Sequence, residues 1–216
     1  MTTAMPVLLL TQNMELRQRW LQLGGSQWRV EAGTQLQQLQ MWRQQGHELV
    51  LLDADLPWVL PWQDARWREL LEGLKVLVLS ATPSDEEGRQ ALGAGVCGYG
   101  HAATSPPDVE RMLHSIVQGN IWLGRSLLQR LLQDIGQRLP VAKDDWAQGL
   151  TQREKEVAYF AATGESNTEI AERLGITVRT VRAHLSAVFE KLQVVDRLML
   201  ALKVHGVKVE PKSTTL

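Results

Sequence analysis

A parallel α/β module followed by a small all-α module is the architecture this sequence predicts. Three observations carry that reading. Short unbroken apolar runs at residues 6–10 (PVLLL), 48–52 (ELVLL) and 75–79 (KVLVL) are separated by helical patterns. Strands of that kind are buried on both faces, as in parallel sheets layered between helices. From Leu150 onward the period is helical, with capping signals at regular intervals. The chain has 216 residues, 44% apolar and 22% charged, which suits two small domains with ordinary cores.

The first module reads in order as follows. The strand at 6–10 leads to a helix over 14–23. The glutamine-rich run 35–45 places Leu36, Leu39 and Trp42 at the spacing of an amphipathic helix, unlike a low-complexity tract. A second strand follows at 48–52, a helix at 65–74 and a third strand at 75–79. Ser84-Asp85-Glu86-Glu87 caps a helix that ends near Gly93. A short strand lies within 95–100 and a helix over 107–118. Sheets of this class place their site beyond the carboxyl ends of the strands. Thr11, Gln12, Asp53, Asp55, Ser80 and His101 stand there. A helix opening at Trp122 joins the modules. Residues 133–146, with Gly136 and Pro140, read as an interdomain linker. The boundaries expected are 1–119, 120–146 and 147–216.

The second module has two S/T-x-x-E boxes, Thr151 to Glu154 and Ser166 to Glu169. In each, the hydroxyl takes an orphan N–H and the glutamate returns to the cap residue's own N–H. Val157, Phe160 and Ala161 follow the first box at helical spacing, and Ile170, Ala171 and Leu174 the second. Gly164 and Gly175 are placed to stop these helices. Thr177 then caps a third helix over 178–192, with Val181, Leu185, Val188 and Leu192 on one apolar stripe. A short helix, a glycine turn and a longer helix make a helix-turn-helix. Arg179, Thr180, Arg182, Ala183 and Ser186 fall off the stripe near the start of the long helix. There an arginine can grip guanine O6 and N7, and a small residue permits close approach to a thymine methyl. Thr168, Thr177 and Thr180, with helix N-terminal amides, suit phosphates. The competing reading, a plain surface helix in a bundle, leaves the agreement of caps, stops and stripe unexplained.

The segments LTQREKEV, SNTEIAERL and TVRAHLSAVFEKL resemble the LuxR/NarL family of DNA-binding regulators. The resemblance implies a four-helix helix-turn-helix domain that binds double-stranded DNA as a homodimer. By position it makes Arg182, Ala183 and Ser186 base-reading and sets Lys191 and Arg197 near phosphates. Asn167, Thr168, Thr177, Arg179 and Thr180 complete the expected contact set. His184 also matches a family position and reads as packed or hydrogen-bonded. The helix after Val194, with Asp196, Leu198, Leu200 and Leu202, resembles the family's dimerisation helix.

Residues 6–119 resemble the receiver domain of bacterial response regulators, which implies a flavodoxin-like, doubly wound fold. In LVLLDADLP, Asp53 takes the phospho-accepting position and Pro57 the proline four residues on. Ser80 takes the position that senses the phosphoryl group, and AGVCGYG matches the approach to the family's lysine. The chain departs from the pattern at three places. The acidic pair after the first strand reads Thr11-Gln12, and Ala102 stands where the lysine falls, beside His101. Acylation of an aspartate needs Mg²⁺ to offset phosphoryl charge, and Mg²⁺ takes near-octahedral oxygen ligands including one or two carboxylates. Asp53 is the main anion left, with Asp55 a partial substitute. The expectation is an atypical receiver, with Asp53 a strand-end aspartate that bonds loop amides.

Trp122-Leu123-Gly124-Arg125 resembles a W-x-[T/S]-R motif that binds cyclic di-GMP in some biofilm regulators of this family. Trp122 and Arg125 are its candidate ligand residues, with Gly124 where a hydroxyl is expected; the alternative is that Trp122 anchors the receiver. All eight tryptophans precede Ala147, three of them (Trp58, Trp62, Trp67) soon after Asp53, as core or as partner surface. Net charge is −1. The segment from Ala147 on carries ten Lys/Arg against eight Asp/Glu, and the remainder 13 against 16. The DNA-side module is thus mildly basic, and salt-dependent binding is expected. The one cysteine, Cys97, cannot form an internal disulfide and fits a reducing cytoplasm. Neither a signal peptide nor a membrane-length apolar run is read. No motif points to a metal enzyme, hydrolase or nucleoside triphosphatase, and no cofactor or metal is expected. Three functions fit: a DNA-binding transcription regulator with an atypical receiver, controlled without standard aspartyl phosphorylation, as by a partner protein at the receiver; a phosphorylation-dependent regulator using Asp53; or a regulator gated by a cyclic dinucleotide.

Overall fold

Five parallel strands in the order β2-β1-β3-β4-β5 form the sheet of the first module: β1 (Met5–Leu10), β2 (Trp28–Gly33), β3 (Leu49–Asp53), β4 (Lys75–Ser80) and β5 (Gly98–His101). This is a computed structural model, and it describes residues 4–23, 27–138 and 144–207. The helices between strands are α1 (Met14–Leu21), α2 (Gln37–Gln44), α3 (Arg66–Leu70) and α4 (Asp85–Gly93), and α5 (Pro106–Val117) follows β5. The order 2-1-3-4-5 is that of a flavodoxin-like doubly wound fold.

Alternate residues of the strands fill both sides of the sheet. Val7, Leu9, Leu51, Leu77 and Leu79 share a core with Leu16 and Trp20 of α1 and with Val109, Leu113 and Ile116 of α5. Leu8, Leu10, Val50, Leu52, Val76 and Val78 are equally buried, as are Leu39 and Trp42 of α2, Trp67 of α3 and Ala91 of α4. Burying a side chain of this size contributes about 1.5–3 kcal/mol.

The strand β2 was not among the elements expected from the sequence. It is an edge strand paired with β1 alone, so buried Trp28 and half-buried Val30 alternate with exposed Arg29 and Glu31. That alternation removes the unbroken apolar run that marks β1, β3 and β4. Gly98 shows why β5 is poor in side chains. A Cβ there would lie 2.8 Å from Ile116 Cδ1 and 2.9 Å from Leu77 Cδ1.

The chain divides into two units, 1–124 and 125–216. The second contains α6 (Arg125–Arg138), a 3-10 turn (Asp144–Ala147), α7 (Gln152–Ala162), α8 (Asn167–Leu174), α9 (Val178–Leu192) and α10 (Arg197–Val204). Residues 133–138, expected as linker, are the last turns of α6. Leu132 joins the core of this unit, and Gln133 lies against Gly164. Pro140 lies outside the described residues. The joining helix starts at Arg125 and not at Trp122, because the Trp122 backbone is held beside β5. Its N–H donates to Cys97 O (3.0 Å), and Tyr99 N–H donates to Trp122 O (3.0 Å). Among the described residues, no helix is long and apolar enough to cross a membrane.

Candidate nucleic-acid interface

Both capping boxes form as the sequence dictates, at Thr151 with Glu154 and at Ser166 with Glu169. The α8 helix ends on Gly175 in the left-handed region (φ 63°), and Thr177 caps α9 by accepting from Thr180 N–H at 3.1 Å. These signals fix the turn between α8 and α9. The stripe Val181, Leu185, Val188 and Leu192 is buried along its whole length, sharing a core with Val157, Ile170 and Leu200. Burial of that stripe leaves Arg179, Arg182, Ala183 and Ser186 exposed on the other side of α9. Ser186 Oγ donates to Arg182 O at 3.1 Å, so its lone pairs are the part left to face outward. Thr168 is exposed on the first turn of α8, with Asn167 half-buried beside it. The hydroxyls of Thr177 and Thr180 bond each other at 2.9 Å. His184 is half-buried.

Lys191 and Arg197 are placed differently from the other expected contact residues. Lys191 Nζ donates to both carboxylate oxygens of Glu154, at 2.8 and 2.7 Å. That carboxylate also accepts from Thr151 N–H at 2.7 Å. The hydrogen bond from Lys191, then that from Thr151, hold the Glu154 carboxyl down at about 2. Arg197 Nε donates to Ala161 O (3.0 Å), Nη1 to Asn167 Oδ1 (3.3 Å), and Nη2 to Glu165 O. Burial lowers the Arg197 guanidinium to about 10, against the nearby charges of Glu169 and Glu165, so it stays cationic at neutral pH. Spacing showed Glu154 only as a capping residue. Its second role, as the anchor for Lys191, spans 37 positions and leaves no local signature.

The second set of expected site residues gathers at the carboxyl edge of the sheet. Thr11 follows β1, Asp53 ends β3, Ser80 ends β4 and Ala102 follows β5. All four are buried, while Gln12 is exposed. Thr11 Oγ1 donates to Asp53 Oδ2 at 2.6 Å, and Asp55 N–H donates to Asp53 Oδ1 at 3.0 Å. Asp55 Oδ2 in turn accepts from Ala81 N–H at 3.1 Å. His101 turns back on its own loop, its Nδ1 accepting from Ala103 N–H at 2.9 Å. This donor set does not fit Mg²⁺. Both Asp53 oxygens already accept hydrogen bonds, and a hydroxyl and an amide stand where carboxylates are needed. Among the described residues, no three His, Cys, Asp or Glu side chains gather as a metal site.

The tryptophans near Asp53 are mainly structural. Trp67 and Trp62 are buried and stack at 4.8 Å, and Trp67 Nε1 donates to Leu60 O. Trp58 is half-buried, and its Nε1 donates to Thr34 O at 2.8 Å, which ties the loop after β3 to the loop after β2. Trp122 packs half-buried against the core of the first unit, and Arg125 is exposed at the start of α6. Tyr99 on β5 is buried. Its hydroxyl bonds Glu87 and accepts from Ser84 N–H at 3.1 Å. Burial, then the Glu87 hydrogen bond, push this phenol up to about 12.

A family model described as bacterial regulatory proteins, luxR family, matches residues 148–204. The transcriptional activator protein ExaE of Pseudomonas putida is 34% identical over 167 residues, 76% of this chain and 77% of that protein. The uncharacterized transcriptional regulatory protein YhcZ of Bacillus subtilis is 31% identical over 80% of each chain. The nitrate/nitrite response regulator NarL of Escherichia coli is 29% identical over 75% of each. A crystal structure of a LuxR-family two-component response regulator from Aurantimonas sp. covers 61% of this chain and 97% of its own, with a TM-score of 0.51 at 16% identity, a likeness of fold. With these matches and the two-module architecture, the chain belongs to the LuxR/NarL family of response regulators.

Proposed function

We propose that this DNA-binding response regulator reads its operator through Arg182, Ala183 and Ser186, as a homodimer, and is controlled without standard aspartyl phosphorylation. The observation that carries the first part is the exposed face of α9. Burial of Val181, Leu185, Val188 and Leu192 turns Arg179, Arg182, Ala183 and Ser186 outward together, near the N-terminus of the helix. That is the end of a recognition helix that meets base edges. Thr168, Thr177, Thr180 and the first amides of α8 and α9 are suited to phosphates. Of the Lys191 ammonium's three hydrogens, two go to Glu154, which leaves one for a phosphate.

The second part is supported at the carboxyl edge of the sheet. The Asp53 carboxylate is 3% exposed and holds the Thr11 hydroxyl and the Asp55 amide. The side chain of Ala102 brings no positive charge toward it. Both oxygens of this carboxylate already accept a hydrogen bond, and alanine stands where a lysine would supply a cation. Control by a protein partner or by constitutive activity fits that environment. Trp122 is packed and bonded beside β5, so no observation favours a cyclic dinucleotide at Trp122 and Arg125.

Two experiments test the reading. Selection from a random duplex pool, repeated with Arg182→Ala, is expected to yield one enriched sequence whose preference relaxes at one base pair in the variant. A variant that weakens all sequences alike would refute the base-reading role. Incubation with Mg²⁺ and acetyl phosphate, followed by intact mass, is expected to give no phosphoryl adduct. An adduct on the natural chain that is lost in Asp53→Asn would refute the control mechanism.

A further inference from the structure

Arg197 is the first residue of α10, yet its three bonds all reach the turn that connects α7 to α8. Ala161 O belongs to the last turn of α7, where carbonyls lack helical partners and a cation is favoured. Glu165 O lies in the turn itself. Asn167 is the first residue of α8. One planar guanidinium thus binds the end of one helix, the turn, and the start of the next.

The Asn167 contact fixes more than position. Arginine has only donors, so the amide atom that faces it must be the oxygen. With Oδ1 held by Nη1 at 3.3 Å, the Nδ2 hydrogens of Asn167 are the part of the amide left to donate. Asn167 is half-buried at the N-terminus of α8, next to exposed Thr168. A neutral NH₂ donor beside helix N-terminal amides suits a phosphate oxygen.

We propose that Arg197 is a positioning residue and not a phosphate ligand: it orients the Asn167 amide so that Nδ2 donates to a DNA phosphate. The proposal rests on the DNA-binding reading given above. It also links α10 directly to the contact surface, since any shift at the start of α10 moves Asn167.

The test uses the full chain and a duplex selected by the wild-type protein from a random pool, with Kd measured across a range of salt. Asn167→Ala and Arg197→Ala are each expected to weaken binding about tenfold or more, the loss of one hydrogen bond to a charged group. Neither is expected to change the slope of log K against log salt, because no cation leaves a phosphate. The double variant is expected to be no weaker than the weaker single variant, since both remove one contact. Arg197→Lys keeps the charge but cannot span three acceptors, so it is expected not to restore binding. If Arg197 touches phosphate itself, the slope drops by about 1 in Arg197→Ala and Arg197→Lys recovers it, which overturns the proposal. Asn167→Ala leaves the guanidinium in place and keeps the test valid if Arg197→Ala does not fold. Wild-type affinity in Asn167→Ala overturns the proposal alone. A wild-type protein that selects no sequence overturns the DNA-binding reading, and this proposal with it.

Discussion

Replacing Glu154 with glutamine isolates the ion pair that holds α9 to α7. The amide oxygen still accepts from Thr151 N–H, so the capping box survives, while the charge that meets Lys191 is lost. The carboxyl is depressed from 4.5 to about 2, first by the Lys191 hydrogen bond and then by that from Thr151. At about 1.4 kcal/mol per pH unit, that shift sets a ceiling of about 3 kcal/mol. Lys191 is 40% exposed, so solvent screens the pair, and about 2 kcal/mol is the expected loss at neutral pH. The charged form is the one the fold favours. Its contribution is therefore complete above the unfolded value near 4.5 and fades as pH falls from there toward 2. Hydrogen exchange of peptides from α7 and α9 reads this unit separately from the sheet. Protection at pH 7 is expected to fall about 30-fold in Glu154→Gln, with the gap closing below pH 4.5. Equal protection at pH 7, or a gap that persists unchanged to pH 2, would refute the reasoning.

Thr11→Val removes the only side-chain donor to Asp53 Oδ2 among the described residues. Urea unfolding is expected to show a loss of about 1–3 kcal/mol, and an unchanged midpoint would mean the bond contributes nothing. Thr11→Asp combined with Ala102→Lys supplies a carboxylate and a cation at the sheet edge. This double variant is expected to gain an adduct from acetyl phosphate and Mg²⁺ where the natural chain is expected to form none, and failure to gain one would locate the block elsewhere. Gly164→Ala places a side chain at φ +98°, with its Cβ 2.8 Å from Gln133 Cγ and 3.2 Å from Gln129 O. Thermal unfolding is expected to report a loss of about 1–3 kcal/mol, and no shift would argue against the positive φ. Ultraviolet titration is expected to show a tyrosine step near 12 that disappears in Tyr99→Phe.

The elements that sequence showed well are those whose physics is local. Caps at Ser84, Thr151, Ser166 and Thr177 each place a side-chain oxygen against an amide three residues on, so they stand in a four-letter pattern. The buried strands β1, β3 and β4 are legible because both faces are apolar. The edge strand β2 lost its signal when one face met solvent, and α6 outran its expected end at 133, where Gln133 meets Gly164, 31 positions on. Along α9, periodicity showed which positions point outward. It could not show that Arg197 binds the α7–α8 turn or that Lys191 pairs with Glu154, because those partners lie more than 30 positions away. At the sheet edge, the residue types marked the departure from the receiver pattern, while the Thr11–Asp53 bond needed coordinates.

The bonding of Asp53 changes how genetic experiments on this chain should be built. In a regulator whose aspartate waits for a phosphoryl group, alanine or glutamate at that position is a clean silencing or mimicking allele. Here alanine would strip the acceptor from the buried Thr11 hydroxyl and from the Asp55 amide, and glutamate would displace it by a methylene, loosening the loop that Trp58 ties down. A phenotype from them would report a damaged fold as readily as a lost signal. Asp53→Asn keeps one side-chain oxygen in place, and it is the allele to carry into cells.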